Sequence, residues 1–304
     1  MKEINLDMVR VTEAAAIAAS AWIGSGEKIA ADAAATDAMR ARLDAIDFCG
    51  QIVIGEGIKD KSAGLFAGEM VGLHKTNPPK VYDIAVDPIE GTRPTVNSGP
   101  EAVSVLAVAE KGALFATPAF YMNKLAYGPE IAKKVKLSIT DPLSHTVKLV
   151  SVATGKAPNK IMVCVLDRPR HEKMIKELRG LGVRIKLIQD CDVSGAIATC
   201  HPKSGIDLYY GIGGSPEGVI AACALKCLRG DFQGQIVKED GTIEPKVLTL
   251  NDVVKSECAF SATGITNGSM LRGVRYVSEG PVTNSVFMRS ISGTVRWFTS
   301  YHGN

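Results

Sequence analysis

The chain has 304 residues, of which 46% are hydrophobic and 22% are charged, a composition typical of a globular protein with a sizeable core. Its 35 basic and 32 acidic side chains leave a formal net charge of only +3, too balanced for a dedicated nucleic-acid or membrane surface. No run approaches the roughly 18 apolar residues that span a bilayer, and acidic residues precede the Ala-rich stretch at residues 14–22. We therefore expect a cytoplasmic protein with neither a membrane nor a nucleic-acid partner.

The N-terminal part of the chain is predicted to be helical and then to enter a sheet. Apolar residues recur at helical spacing from residue 12 to about residue 46, and the segment Gly24-Ser25-Gly26 divides this stretch into two helices. Two apolar strands follow, at residues 51–54 and 81–86. Acidic residues follow each of these strands.

Strands alternate with amphipathic helices in the middle of the chain, which predicts a mostly parallel sheet flanked by helices. The predicted strands are residues 161–166, 183–188 and 206–210. Polar loops follow them in turn, at Asp167–Arg170, Asp190–Asp192 and Gly211–Glu217. Because ligands bind at the carboxyl ends of strands in open α/β sheets, we expect these three loops to face one crevice.

Shorter alternating segments follow residue 230, at residues 273–278 and 284–298. They read as antiparallel strands that complete a sheet begun in the first half of the chain. The fold class is therefore expected to be α/β.

The glycine-rich loops do not fit a nucleotide-binding fingerprint. A Gly-x-Gly-x-x-Gly pattern starting at Gly211 would need glycine where Pro216 stands, and one starting at Gly55 would need glycine where Asp60 stands. The seven cysteines are scattered without Cys-x-x-Cys spacing, so they favour small apolar core positions over a zinc site or disulfides.

The segment Asp87-Pro88-Ile89-Glu90-Gly91-Thr92 has two interpretations. Asp, Pro and Gly favour turns, so the segment could be purely structural. It could instead be a catalytic loop, because three further acidic residues could join it in one carboxylate cluster: Asp32 in a helix, Glu56 after a strand, and Glu217 at the start of a helix. Each of these three, taken alone, is an ordinary surface or capping carboxylate.

A cluster of such carboxylates would have a chemical use. Ionised carboxylates about 4 Å apart repel by roughly 4 kcal/mol per pair at an effective dielectric of about 20, so a converged cluster would need cations. Mg²⁺ and Mn²⁺ prefer carboxylate oxygens, and two such ions about 4 Å apart can clamp the attacking and leaving oxygens of a phosphate ester. Phosphate monoesters hydrolyse so slowly in water that they require strong electrostatic help.

Short motifs through nearly the whole chain resemble those of one family. The matching segments are residues 22–24, 26–28, 31–32, 53–57, 83–92, 120–122, 124–125, 168–171, 210–214, 216–219 and 264–266. In these segments the chain resembles the class II fructose-1,6-bisphosphatases, also called the glycerol-operon type, of the lithium-sensitive phosphatase superfamily. We expect their sugar-phosphatase fold, a layered α-β-α-β-α sandwich with an antiparallel or mixed sheet and a mostly parallel sheet.

The resemblance implies a set of site residues. The implied ligands of Mg²⁺ or Mn²⁺ are Asp32, Glu56, Asp87, Glu90 and Glu217. Thr92 would position the attacking water with the help of Asp60 and Lys28. The implied substrate-binding residues are Glu90, Gly91, Thr92, Tyr121, Arg168, Pro169, Arg170, Asp190, Cys191, Asp192 and Gly214. An arginine pair can hold the phosphate that is not cleaved, while carboxylates accept hydrogen bonds from sugar hydroxyls.

The expected reaction is hydrolysis of fructose 1,6-bisphosphate to fructose 6-phosphate and phosphate in gluconeogenesis. Residues 1–150, completed by strands from residues 250–304, would form the catalytic domain, and residues 151–250 the sugar-phosphate-binding domain. The resemblance also implies a homo-oligomer, a dimer or a tetramer. Two alternatives stay open: an enzyme that also cleaves sedoheptulose 1,7-bisphosphate, and a silent sugar-phosphate sensor.

The chain departs from the family pattern at a few positions near the predicted site. Ile29 stands where the family usually has Asn, Ile58 where it has an acidic residue, and Cys191 where it has Gly. Lys61 and Pro94 are also atypical of their surroundings. Cys191 would alter the sugar site if this position needs a backbone conformation that only glycine adopts readily.

Overall fold

The computed structural model describes residues 5–55, 64–76, 78 and 80–303. Among these residues the helices are α1 (Asn5–Ser20), α2 (Lys28–Asp44), α3 (Thr92–Val96), α4 (Pro129–Ala132), α5 (Leu143–Thr154), α6 (Glu172–Gly180), α7 (Asp192–Ala198), α8 (Ser215–Cys227) and α9 (Leu250–Val253). The strands are β1 (Gly50–Ile54), β2 (Met70–Val71), β3 (Tyr82–Glu90), β4 (Val103–Glu110), β5 (Tyr121–Tyr127), β6 (Met162–Leu166), β7 (Arg184–Ile188), β8 (Leu208–Gly214), β9 (Asp231–Val237), β10 (Leu248–Thr249), β11 (Cys258–Gly264), β12 (Arg275–Val277), β13 (Gly280–Arg289) and β14 (Thr294–Tyr301). The α/β class is confirmed.

The chain divides into two compact units. Unit 1 comprises Met1–Ala116 and Ser256–Asn304, and unit 2 comprises Thr117–Lys255. The division into a catalytic domain and a sugar-phosphate-binding domain assigns functions to segments, and it stays a prediction.

Unit 1 contains a mixed sheet in the order β12-β13-β11-β4-β3-β1-β2, with β14 also paired to β13. The strand β11 pairs antiparallel with β4, from Cys258 opposite Ala109 to Gly264 opposite Val103. The C-terminal strands therefore complete the sheet that the first half of the chain begins, as predicted. Only β1 and β3 are parallel neighbours among the described pairs of this sheet.

The helices α1 and α2 pack together in unit 1 and supply its core with small and medium side chains. Ala35, Met39 and Leu43 of α2, predicted to share one face, are fully buried. Burying a Met or Leu side chain completely contributes about 1.5–3 kcal/mol. This face anchors α2 and so holds the other residues of the helix in place.

Unit 2 contains a mixed sheet in the order β10-β9-β5-β8-β6-β7. The strand β6 runs parallel to β7 and β8, and β5 runs antiparallel to both β8 and β9. The strands β6, β7, β8 and β9 therefore point the same way. The strand–helix alternation predicted a mostly parallel sheet, and these four strands agree with that prediction. The strand β5 lies between β8 and β9 and is antiparallel to both.

Along the described residues, no helix combines the length and the apolar character needed to cross a membrane.

Candidate active site

Two acidic residues at the end of β3 are brought together by a bulge. Residues three apart in a regular strand face opposite sides of the sheet. Here Asp87 pairs with Val105 and Glu90 with Val103, so β3 uses one more residue than β4 over this stretch. The extra residue places the two side chains on the same side of the sheet. A carboxylate oxygen of Asp87 therefore lies within 4.8 Å of one from Glu90.

The strand was predicted to end at residue 86, but β3 continues to Glu90, so Pro88 lies within the strand. Pro88 has no N–H to donate, and a bulge is one of the few places where a sheet accepts proline. The side chain of Asp87 helps to shape this segment, because its Oδ1 accepts a hydrogen bond of 3.0 Å from the Ile89 N–H. The segment is thus both a structural feature and a candidate ligand loop.

The hydroxyl group of Thr92 links this loop to α2. Gly91 caps α3 and Thr92 is the first residue of that helix. Thr92 Oγ1 donates a hydrogen bond of 2.7 Å to Asp32 Oδ1. Asp32 is half-buried in α2, about one turn before the buried Ala35 and on the same side of the helix, and this side is held in the core of unit 1. The structure therefore brings together two of the residues predicted for metal binding and water activation.

The remaining predicted residues of unit 1 are described only in part. Lys28 is the exposed first residue of α2, and Ile29 beside it is 81% exposed. Glu56 and Asp60, as well as Ile58 and Lys61, lie outside the described residues.

In unit 2, the predicted substrate residues gather where β6, β7 and β8 end. Arg168 follows β6 and forms an ion pair of 2.6 Å with Asp190, which follows β7. Pro169 opens the short 3-10 helix Pro169–His171, which Arg168 precedes and which contains Arg170. The prediction that these segments meet at one edge of the sheet agrees with these contacts.

The prediction of a third loop at Gly211–Glu217 is wrong. Residues 211–214 belong to β8, and Ser215 begins α8 directly. The glycines are held in the sheet because β5 pairs with this part of β8, with Tyr121 opposite Gly214. The predicted residues Tyr121 and Gly214 are therefore neighbours on adjacent strands.

Arg170 is held in a defined orientation by β8 and by the ring of Tyr121. Its Nε and Nη2 donate to the Ile212 carbonyl oxygen at 3.1 and 2.8 Å. Its guanidinium carbon lies 5.1 Å from the centroid of the Tyr121 ring, within cation–π range. The guanidinium of Arg170 is exposed, and its remaining N–H groups give it the geometry to bind an anion.

Asp192 is buried against Lys124, a residue that was not predicted to belong to the site. Lys124 is 2% exposed in β5, and its Nζ donates to Asp192 Oδ2 and, at 2.9 Å, to the Gly214 carbonyl oxygen. Tyr209 donates to the same Asp192 oxygen at 3.3 Å. Buried charges are paired and hydrogen-bonded, and this pair joins α7 to the sheet.

Cys191, which stands where the family usually has glycine, has the left-handed backbone conformation that glycine adopts most readily. Its φ is +67° and its ψ is +51°, and its side chain is buried. Non-glycine residues pay about 1–2 kcal/mol in this region. The residue caps α7 between Asp190 and Asp192, so the substitution bears directly on the predicted sugar site.

Glu217 lies in the first turn of α8, and its carboxylate is shielded at one oxygen. Oε2 of Glu217 is inaccessible to solvent and has no hydrogen-bond partner among the described residues. Burial raises the pKa of Glu217, the Asp192 carboxylate raises it further, and Lys124 opposes them. A Cβ at Gly214 would lie 1.8 Å from Glu217 Oε2, so only glycine leaves room for this carboxylate.

The carboxylate oxygens described above are suitable ligands for hard divalent cations. The adjoining Asp87 and Glu90 could hold a metal ion, because carboxylate oxygens are the ligands that Mg²⁺ and Mn²⁺ take. The shielded oxygen of Glu217 is costly to leave ionised without a partner, and a cation would remove that cost.

Two residues of unit 2 were overlooked as functional candidates. Lys124 and His171 both stand in segments that resemble the family, but neither residue was assigned a role. A lysine inside an apolar strand, and a histidine directly after Arg-Pro-Arg, were the signals available in the sequence.

Comparison with known proteins agrees with this geometry. A sequence model of the family described as bacterial fructose-1,6-bisphosphatase, glpX-encoded, matches residues 2–302. The protein named fructose-1,6-bisphosphatase 1 class 2 of Escherichia coli strain K12 is 40% identical over 325 aligned positions, which cover 99% of this chain and 95% of that relative. The class 2 fructose-1,6-bisphosphatase of Shigella flexneri has the same identity and coverage. The chain belongs to the bacterial, glpX-encoded family of fructose-1,6-bisphosphatases.

Proposed function

We propose that this protein hydrolyses fructose 1,6-bisphosphate at the 1-phosphate, releasing fructose 6-phosphate and inorganic phosphate for gluconeogenesis. Family membership across residues 2–302 carries the proposal. Two features support it: the acidic pair Asp87 and Glu90 at the end of β3 could bind a metal ion, and the exposed Arg170 beside β8 could bind a phosphate group. We place the reaction in the cytoplasm, and we propose that the protein is a dimer or a tetramer.

The proposed metal ligands are those implied by the resemblance, Asp32, Glu56, Asp87, Glu90 and Glu217, with Mg²⁺ or Mn²⁺ as the ion. When bound, the ions would activate the attacking water and neutralise charge on the phosphoryl group. The chain's own task is to place the carboxylates before the substrate arrives. The bulge in β3 and the glycine at position 214 support this assignment, because both make room for carboxylates at fixed positions.

Thr92 is proposed to orient the attacking water. Its hydroxyl donates a hydrogen bond to Asp32, so its oxygen lone pairs remain able to accept a hydrogen bond from water. In this proposal Asp60 and Lys28 assist Thr92, and the backbone of Glu90, Gly91 and Thr92 contacts the phosphate that is cleaved. General acid–base assistance by a positioned side chain typically contributes about 10²–10⁴-fold to the rate.

The sugar and the phosphate that is not cleaved are proposed to bind in unit 2. Arg170 would hold that phosphate through the N–H groups that Ile212 does not occupy. Arg168, Tyr121 and Asp190 would complete this part of the site. The proposed set also contains Pro169, Cys191, Asp192 and Gly214.

The direct test is phosphate release from a panel of substrates. Fructose 1,6-bisphosphate, sedoheptulose 1,7-bisphosphate and inositol 1-phosphate would each be assayed with Mg²⁺, with Mn²⁺, and after removal of metal. We expect the highest kcat/KM with fructose 1,6-bisphosphate and no turnover without metal. Preference for sedoheptulose 1,7-bisphosphate would revise the substrate. Binding of the bisphosphate without phosphate release would favour the sensor instead.

A further inference from the structure

His171 is a buried histidine at the point where the segment after β6 meets β8. Its side chain is 2% exposed, and Nδ1 lies 2.7 Å from the Leu166 carbonyl oxygen. Nε2 lies 2.8 Å from the backbone nitrogen of Ile212. A carbonyl can only accept and an amide N–H can only donate, so the proton is on Nδ1 and Nε2 accepts. The imidazole is therefore neutral and held in one tautomer.

The same residue of β8 that His171 holds also orients Arg170. The N–H of Ile212 is bound by the His171 ring, and the carbonyl oxygen of Ile212 accepts two hydrogen bonds from the Arg170 guanidinium. These two bonds use two of the five N–H groups of the guanidinium. Any rotation of β8 at Ile212 would thus turn the remaining N–H groups of Arg170 away from their present direction.

The backbone next to Ile212 leaves room for the imidazole. Gly211 has φ of +138°, which side chains rarely tolerate, and a Cβ there would lie 3.0 Å from His171 Nε2. The ring therefore lies directly against the main chain of β8. Its two hydrogen bonds join the end of β6 to β8 through a single rigid group.

We propose that His171 is a positioning residue for the phosphate that is not cleaved: it fixes the backbone of Ile212, and Ile212 fixes the guanidinium of Arg170. The inference rests on the proposed function, in which Arg170 binds this phosphate. His171 itself does not touch the substrate. Its effect is on the affinity for the sugar phosphate rather than on the chemical step.

The ionisation of His171 agrees with this role. Burial lowers its pKa, the hydrogen bond to the Leu166 carbonyl oxygen opposes this shift, and the positive charges of Arg170, Arg168 and Lys124 lower it further. A protonated ring would place an N–H against the N–H of Ile212. The neutral form that accepts from Ile212 is therefore retained in the pH range where the free side chain, with a pKa of about 6.5, begins to be charged.

The test separates the two hydrogen bonds of the ring. His171→Asn can still donate toward Leu166 but has no acceptor that reaches Ile212, whereas His171→Gln can present an oxygen near the position of Nε2. With Mn²⁺ present, we expect His171→Asn to raise KM for fructose 1,6-bisphosphate about tenfold with kcat within about twofold of wild type. His171→Gln should change KM by less than about threefold.

A double-mutant cycle distinguishes positioning from general damage to the fold. If His171 acts through Arg170, adding His171→Asn to Arg170→Ala should not raise KM further. Calorimetric titration with fructose 6-phosphate should show the same pattern and needs no turnover. Effects of the two substitutions that multiply, or an unchanged KM and affinity in His171→Asn, would overturn the inference. A wild-type protein that binds fructose 6-phosphate but does not hydrolyse the bisphosphate would instead refute the proposed function.

Discussion

The hydroxyl group of Thr92 donates a hydrogen bond of 2.7 Å to the carboxylate of Asp32, which joins the first turn of α3 to the N-terminal part of α2. The two residues are 60 positions apart in the chain. Because the hydroxyl donates to Asp32, the oxygen of Thr92 keeps its lone pairs available to accept a hydrogen bond from water. This contact supports the role proposed for Thr92 in orienting the attacking water.

Removal of the Thr92 hydroxyl should therefore slow the chemical step. Thr92→Val keeps the shape of the side chain, and we expect kcat with fructose 1,6-bisphosphate to fall by about 10²-fold or more with little change in KM. Thr92→Ser keeps the hydroxyl and should retain most of the activity. Steady-state kinetics of the three proteins would check this, and equal kcat in wild type and Thr92→Val would exclude the assigned role.

The shielded carboxylate of Glu217 should destabilise the protein when no metal is bound. Its pKa is raised in the folded state, so ionisation costs stability in full above that pKa; the cost shrinks as the pH falls below it and is gone below the ordinary pKa of a glutamate. At pH 7 to 8, Glu217→Gln should raise the Tm of the metal-free protein by about 2–5 °C. The same substitution should weaken Mn²⁺ binding and reduce kcat. Calorimetric melting curves with and without Mn²⁺ provide the measurement.

Glu239→Gln is a matched control, because Glu239 is exposed in the same unit. It should leave both Tm and Mn²⁺ affinity unchanged, since substitutions at such surface positions usually alter stability by less than about 0.5 kcal/mol. A fall in the Tm of the metal-free Glu217→Gln protein would contradict the explanation.

The buried pair of Lys124 and Asp192 should be strongly coupled. Lys124→Met would leave the Asp192 carboxylate buried without its cation, which typically costs about 3–5 kcal/mol. Adding Asp192→Asn should recover much of this loss. Urea denaturation of both single variants and of the double variant would give the coupling energy, and Lys148→Met, at an exposed lysine, serves as the control. Additive losses would show that the pair is not coupled.

The ring of Tyr121 should contribute to substrate affinity through Arg170. The guanidinium carbon lies 5.1 Å from the ring centroid, and an exposed contact of this kind is worth about 0.5–1 kcal/mol. Tyr121→Ala should therefore raise KM about two- to fivefold. Tyr121→Phe keeps the ring, so its KM should stay near that of wild type unless the hydroxyl of Tyr121 itself binds the sugar.

Local patterns in the sequence predicted the elements that carry most of the site. The helical spacing of Ala35, Met39 and Leu43 correctly predicted the buried face of α2. The alternation of strands and helices correctly placed the polar ends of β6 and β7 together, where Arg168 meets Asp190. In these cases the decisive information lies within a few residues of the position concerned.

Features that depend on distant partners could not be predicted in this way. The strand β5 contains Lys124, which looks unsuited to a buried strand until Asp192, 68 positions later, compensates its charge. The bulge between Asp87 and Glu90 exists only relative to β4, and Pro88 alone reads as a turn. The role proposed for His171 depends on Ile212, 41 positions away, so the preceding Arg-Pro-Arg segment could draw attention to the histidine but could not reveal this contact.

The central claim is that the carboxylates near the end of β3 bind the metal on which phosphate release depends. The most direct test is the rate of phosphate release from fructose 1,6-bisphosphate by wild type and Asp87→Asn, each with Mn²⁺ and after removal of metal. We predict turnover by wild type only with metal, and a loss of about 10²–10³-fold or more in Asp87→Asn, which keeps the size of the side chain but removes its charge. Turnover without metal, or an Asp87→Asn protein as active as wild type, would contradict the account.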